Sequence, residues 1–258
     1  MKKIIFLIVA LIVLSCSTIY AKLYNLSEGH AFDENLPFID LQEKVLDRGG
    51  SQKRDKEGTL LFSYHKYINE ILKANTITID VKGNKLIEGY ANVKEGTSKY
   101  DGTYSFKPND PVSKGEFIKM AICLSNNRSF DYSIFTIPDS LKSHWAAPYV
   151  VVAEMQDVIE QGDINEYNID EPTTRLDMIK ILSRIQINMK GIPQYRDGVL
   201  PNYSDIGMLT EKDKAYLLHA TKYDLIEGMT KSENNVLEIK PDLNITRGEA
   251  VRALLRVY

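Results

Sequence analysis

The chain has 258 residues, 43% of them hydrophobic, and a formal net charge of −3. This length allows a large core or several small packed units. The mildly acidic balance argues against a nucleic acid as the partner, because such binding concentrates positive charge, although a few local bases could still hold an anionic ligand.

The amino terminus has the pattern of a secretory signal. Lys2 and Lys3 precede an uninterrupted apolar run at 4–14, which is too short to span a bilayer but suits the core of a signal peptide. Cleavage after Ala21 would remove residues 1–21 with their two lysines, and the formal charge would change from −3 to −5. We therefore predict an exported protein.

Cys16 offers a second processing route. Residues 13–16 resemble a bacterial lipoprotein box, in which Cys16 would be the lipidated residue and would attach the protein to a membrane. Cleavage after Ala21 instead leaves Cys123 as the remaining cysteine, so that no intrachain disulfide can form. Cys123 stands in an apolar helical stretch, and we expect it to be a small buried hydrophobic residue.

The region before residue 101 is the least regular part of the chain. A polar stretch at 48–58 indicates a loop, and 65–72 is typical of a helix. Residues 76–87 predict a β-hairpin with a Gly-Asn turn. The alternative is that 86–89 corresponds to 225–228, since both segments read Leu-Ile-Glu-Gly.

A short phrase then occurs three times: a proline, Ser or Thr, a base, a spacer and an acid. The copies contain Ser113-Lys114-Gly115-Glu116, Thr174-Arg175-Leu176-Asp177 and Thr246-Arg247-Gly248-Glu249. A Ser or Thr followed three positions later by an acid forms a capping box, in which the two side chains satisfy backbone N–H groups at a helix start. Each copy therefore predicts the first turn of a helix.

Apolar residues follow each copy with the same spacing. They are Phe117, Met120, Ala121 and Leu124; Met178, Ile181, Leu182 and Ile185; and Ala250, Ala253, Leu254 and Val257. This spacing is typical of a half-buried helix. Two further helices are predicted at 144–155 and 213–220, each before a capped helix, and their aligned Tyr149 and Tyr216 are expected in the core.

Together these motifs resemble the S-layer homology (SLH) family. Its phrase runs from aromatic-x-Asp through His-Trp-Ala, Gly-Ile-Ile-x-Gly and Asp-Gly-x-Phe-x-Pro to Thr-Arg-x-Glu, and the clearest matches are 101–112, 144–146 and 246–250. The resemblance implies a mainly α fold of three helix-loop-helix SLH units in a pseudo-threefold bundle. The units would be 22–126, 127–190 and 191–258, with the β-hairpin as an insertion in the divergent first unit.

The SLH family tethers exported proteins by binding secondary cell-wall polysaccharide, often through a pyruvylated terminal sugar. By position, the resemblance assigns ligand binding to Lys114, Arg175 and Arg247. Trp145 matches the family tryptophan, which either stacks on a sugar ring or anchors the units to one another. The chain departs from the pattern where Lys114 replaces Arg, which removes the planar fork that grips a carboxylate, and where Lys212 stands in place of a tryptophan.

The sequence carries no HExxH, nucleophile elbow, phosphate loop or CxxC motif. We therefore predict that the protein is not an enzyme and has no cofactor or metal site. It would be a cell-envelope anchoring module at the bacterial cell wall or cell surface, whose partner is an acidic secondary cell-wall polysaccharide or a peptidoglycan-linked glycan. The alternative is an envelope structural protein, a lipoprotein if Cys16 is acylated, whose degenerate SLH units bind a protein partner.

Overall fold

The computed structural model describes residues 38–64, 71, 87–125, 135–226, 230–231 and 237–257. The chain divides into two compact units, one holding Met1–Ile68 and Tyr90–Phe106, the other Asn69–Gly89 and Lys107–Tyr258. The predicted signal peptide, Cys16, most of the helix at 65–72 and the β-hairpin at 76–87 except its last residue lie outside the described residues.

The first unit is built on antiparallel strand pairs. Strand β1 (Gln42–Lys44) pairs with β2 (Phe62–Tyr64), and β3 (Tyr90–Val93) pairs with β4 (Tyr100–Ser105). The rings of Phe38 and Phe106 lie 5.6 Å apart between centroids, and Asp40 Oδ1 accepts a hydrogen bond from the Phe106 N–H at 2.7 Å. This aromatic-acid pair ties residues 38–40 to the end of β4.

The second unit contains the described α-helices. They are α1 (Lys114–Ser125), α2 (Ala147–Met155), α3 (Arg175–Arg184), α4 (Glu211–Lys222) and α5 (Arg247–Arg256). A π-helical turn, Ile185–Met189, extends α3. Two-residue strands β5 (Thr230–Lys231) and β6 (Leu237–Glu238) form an antiparallel pair between α4 and α5.

The predicted fold class, a mainly α pseudo-threefold bundle of three helix-loop-helix units with a β-hairpin inserted in the divergent first unit, is wrong. The described residues form a mixed α/β structure in which short antiparallel strand pairs accompany five helices. The reason lies in residues 42–64 and 90–105, where tight turns at 47–50, 55–58 and 94–97 join short segments that contain aromatic and β-branched residues. This pattern favours paired strands, and the capped-helix phrase found downstream does not occur there.

The three capped helices are confirmed. Reciprocal capping boxes link Thr174 with Asp177 and Thr246 with Glu249, and Ser113 and Glu116 exchange the same two hydrogen bonds at 3.0 and 3.2 Å. Every residue of the three predicted apolar stripes is buried, as are Cys123, Tyr149 and Tyr216.

The helices that precede α3 and α5 occur, with shifted starts. Helix α2 begins at Ala147 rather than residue 144, with a proline in its first turn. Helix α4 begins at Glu211, two residues earlier than predicted, because Thr210 and Asp213 form a fourth capping box. Asp157 and Asp224 follow the two helices with left-handed φ angles of 54° and 53°, so both end in the same way.

Candidate functional site

The starts of α1, α3 and α5 meet in a closed ring of backbone hydrogen bonds. The Thr173 N–H donates to the Val112 carbonyl at 2.8 Å, the Val112 N–H to the Ile245 carbonyl at 3.1 Å, and the Ile245 N–H to the Thr173 carbonyl at 2.9 Å. All three residues are fully buried. The ring brings the three repeated phrases together although they lie far apart in the sequence.

The first backbone N–H groups of each of these helices are also hydrogen-bonded to a neighbouring loop. Lys114, Arg175 and Arg247 donate their backbone N–H groups to the carbonyls of Glu171, Leu243 and Asp110, each at 2.9 Å, and the next residue of each helix donates to a carbonyl of the same neighbouring loop. The third N–H is taken by the capping hydroxyl. An anion at these helix starts would therefore have to be held by side chains, since the N–H groups are already paired.

Arg247 is paired inside the protein. Its guanidinium donates to Glu116 Oε1 at 2.6 Å and to the Glu88 carbonyl at 2.9 Å, and 4% of its side chain is exposed. Because Glu116 also caps α1, this ion pair joins the starts of α5 and α1.

Arg175 has a different environment. The residue is 7% exposed, and its Nε donates to the Ile239 carbonyl at 2.8 Å. Within the described ranges, no carboxylate lies within 4.0 Å of its guanidinium, and the terminal amino groups make no hydrogen bond. Arg175 thus has a largely buried side chain whose terminal amino groups reach the surface, and no described carboxylate pairs with its charge.

Lys114 borders a cavity of about 160 Å³ in the second unit. Its Nζ lies 3.3 Å from Glu171 Oε2. The cavity is lined by Lys114, Val158, Ile159, Asp163, Ile164, Asp177, Lys180, Ile181 and Arg184. The lining therefore combines three cations, two carboxylates and an apolar wall.

The sequence reasoning missed a second repeated base, three positions after each capping acid. These bases are Lys119, Lys180 and Arg252. Lys119 is 6% exposed and pairs with Glu88 at 2.9 Å. The regular spacing of these bases in the three copies was visible in the sequence and could have revealed them.

Glu160 follows α2 and lies beside two cations, Arg184 on α3 and Lys212 on α4. Its carboxylate accepts a hydrogen bond from Lys212 Nζ and lies 3.6 Å from Arg184 Nη2. The Lys212 hydrogen bond is the main reason that the pKa of Glu160 lies below its ordinary value, and the charges of Lys212, Arg184 and Lys180 act in the same direction. Glu160 and Lys180 thus lie close to each other, as Glu88 and Lys119 do, which favours the alternative equivalence of 86–89 with the later phrase.

Trp145 is 51% exposed, which does not fit a buried anchor between units. Its ring contacts that of His144 at 5.5 Å between centroids. The next residue, Ala146, lies so close to Gly115 that a Cβ there would come within 3.0 Å of the Ala146 Cβ. The exposed indole therefore follows the chain segment packed against the start of α1.

No protein-family model matches this sequence, and no curated protein matches it. Within the described ranges, no group of three or more His, Cys, Asp or Glu side chains is placed to hold a metal ion. No helix in the same ranges is long and apolar enough to cross a membrane.

Proposed function

We propose that this protein is a non-catalytic module of the bacterial cell envelope that binds an acidic wall polysaccharide through Arg175. The proposal rests on Arg175, a residue only 7% exposed whose guanidinium has no carboxylate partner among the described residues and reaches the surface with its terminal amino groups. The SLH-like phrases and the predicted export signal supply the setting. They indicate secondary cell-wall polysaccharide, with an acidic sugar such as a pyruvylated one, as the ligand.

Arg175 needs an anion to compensate its charge. A buried cation is costly unless an anion and hydrogen bonds neutralise it. Arg247 has such a partner in Glu116, whereas Arg175 keeps its terminal amino groups for another acceptor. A guanidinium presents a planar fork that matches a carboxylate with two parallel hydrogen bonds, so an acidic sugar is the ligand chemistry that fits this position.

Sedimentation of the protein with purified bacterial cell walls tests this proposal. We expect Arg175→Gln to raise the Kd about tenfold or more, because a charge-assisted hydrogen bond is lost. Arg196→Gln is the matched control, since Arg196 is exposed and bonds to Gln194 on the same loop. Thermal melts of both variants verify folding. Equal binding by folded Arg175→Gln, or no wall binding by the unmodified protein, would refute the proposal.

One observation favours a second candidate function. Arg247 pairs with Glu116, and Lys119 pairs with Glu88. Two of the repeated bases therefore form ion pairs within the protein. Units whose bases are internally paired would suit an envelope protein that binds a protein partner, anchored by lipid if Cys16 is acylated. Mass spectrometry of the mature amino terminus distinguishes lipidation at Cys16 from cleavage after Ala21.

A further inference from the structure

We infer that protonation of His219 releases residues 193–198 from helix α4, so that this segment and His219 form a pH-dependent conformational switch. His219 lies in α4, and residues 193–198 form an irregular segment that contacts the helix through Tyr195 and Gly198. The switch is independent of the proposed glycan binding, because it involves neither Arg175 nor a ligand.

Hydrogen bonds to both ring nitrogens fix the neutral form of His219, which is completely buried. Its Nδ1 lies 3.1 Å from the backbone nitrogen of Tyr195, and this N–H can only donate, so Nδ1 is the acceptor. A neutral imidazole that accepts at Nδ1 carries its proton on Nε2, which lies 3.1 Å from Gln186 Oε1. The closed segment therefore requires an unprotonated Nδ1.

A second proton on His219 turns this acceptor into a donor. Both nitrogens of an imidazolium carry hydrogen, so Nδ1–H would face the Tyr195 N–H across 3.1 Å and neither group would have an acceptor. Burying unpaired donors is costly, and more so when one of them is charged. Protonation consequently favours a structure in which the imidazolium and the Tyr195 N–H both reach water.

The segment is held to α4 by few polar contacts. Among the described residues, the Tyr195 N–H is the one group of residues 193–198 that hydrogen-bonds outside the segment. The Tyr195 hydroxyl donates to the Asp197 carbonyl and Arg196 donates to Gln194, so these bonds move with the segment. Helix α4, by contrast, is anchored by buried side chains and a capping box. Releasing the segment should therefore cost less than unfolding the helix.

The direct neighbours of His219 give an imidazolium no compensating charge. The Tyr223 ring, just after α4, lies 4.7 Å from the imidazole between centroids, and the π-helical turn contributes the neutral Gln186. Within the described ranges, no carboxylate oxygen lies within 4.0 Å of the imidazole nitrogens. Burial accordingly lowers the pKa of His219 below its ordinary value.

The charged side chains on the surrounding elements are mostly cationic. They are Lys222 on α4, Arg184 on α3, Lys190 after the π-helical turn, and Arg196 with Asp197 in the segment. Lys222 lies over the Tyr195 ring at 5.1 Å from the centroid, and Arg184 lies over the ring of Tyr216, one helical turn before His219. These cations oppose a positive charge on His219 while the segment is closed, so release should occur below about pH 6.5.

An NMR titration of the protein from pH 7.5 to 4.5 tests the switch. We expect the ring carbon signals of His219 and the amide signal of Tyr195 to change with one common midpoint below about pH 6.5. Far-UV circular dichroism and the amide signals of Ile179 and Leu182 on α3 should stay unchanged across that midpoint. After correction for intrinsic exchange, hydrogen exchange at the Tyr195 amide should accelerate about tenfold per pH unit below the midpoint.

Two variants of this contact should give opposite results. His219→Gln cannot take up a proton, so the Tyr195 amide signal should stay unchanged over the whole range. Gln186→Glu places a carboxylate against Nε2, which favours the imidazolium and should raise the midpoint by about one pH unit or more. His144→Gln is the matched control and should keep the midpoint, because His144 Nδ1 also accepts a backbone N–H, from Ala146 at 3.1 Å, but lies before α2.

Three results would overturn the switch. The first is titration of His219 without a change at the Tyr195 amide. The second is a change at Tyr195 that occurs only together with the loss of helical circular dichroism, since this indicates global unfolding. The third is a Tyr195 transition that persists with the same midpoint in folded His219→Gln.

Discussion

One buried side chain of the second unit, His219, shows how burial changes a pKa. His219 on α4 is completely buried, and its Nδ1 accepts a hydrogen bond from the Tyr195 N–H at 3.1 Å. Its Nε2 therefore carries the proton and donates to Gln186 Oε1 at 3.1 Å. Burial lowers the pKa of His219 below its ordinary value, since the charged form would lose both water and the Tyr195 hydrogen bond.

This arrangement predicts a pH dependence of stability. The unfolded chain takes up a proton near pH 6.5, whereas folded His219 does so at lower pH, so the stabilisation is complete above about pH 6.5 and is lost as the pH falls toward the folded pKa. We expect the free energy of unfolding to fall by up to about 1.4 kcal/mol per pH unit in that window. Urea titrations at pH 7.5 and 5.5 measure it.

The comparison with His219→Gln isolates this effect. The variant keeps a polar side chain that does not titrate. The difference in the free energy of unfolding between the two proteins should therefore shrink as the pH is lowered. A constant difference between pH 7.5 and 5.5 would contradict the assignment of the pH dependence to His219.

At the scale of elements, helix caps explain where the helices of the second unit begin. Thr174, Thr210 and Thr246 each accept a hydrogen bond from the N–H three residues later, and the acid at that position returns the bond. This local rule is readable from the sequence because both partners lie within four residues. It accounts for the confirmed starts of α3 and α5, and the same rule applied at Thr210 would have corrected the predicted start of α4.

Removing a cap should cost a defined amount of stability. We expect Thr174→Ala and Thr210→Ala each to lower the free energy of unfolding by about 1 kcal/mol, because a backbone N–H loses its acceptor. Ser125→Ala is the matched control, since the Ser125 hydroxyl donates to the Ala121 carbonyl at 2.7 Å within the last turn of α1. Urea unfolding of the three variants measures the difference. A loss in Ser125→Ala as large as in Thr174→Ala would contradict the capping explanation.

At the scale of the whole second unit, the hydrogen-bonded ring makes the three helix starts depend on one another. Val112, Thr173 and Ile245 each donate one hydrogen bond to a member of the ring and accept one from another. Breaking any one bond therefore leaves a buried N–H on one residue and a buried carbonyl on another without a partner. Neighbouring backbone bonds from Lys114, Arg175 and Arg247 reinforce the same contacts. The unit should consequently open cooperatively rather than repeat by repeat.

Native-state hydrogen exchange measures this cooperativity. We expect the amides of Val112, Thr173 and Ile245 to exchange with the same free energy, close to that of global unfolding, and to respond equally to added urea. The Glu57 amide, which bonds to Asp55 in an exposed turn of the other unit, should exchange much faster. Clearly different exchange free energies for the three ring amides would show that the helix starts open independently.

The sequence by itself determined the local features of this protein: three capped helices, their buried stripes, and bases at matched positions. These follow from rules that act within one or two helical turns, such as the capping of Thr174 by Asp177 and the spacing of Met178 and Ile181. Only the tertiary structure decided the mixed α/β architecture and the fate of each base, because these depend on residues distant in sequence. Arg247 meets Glu116 and Glu88, Lys114 meets Glu171, and Arg175 meets a carbonyl, so three equivalent positions in sequence became three different electrostatic environments.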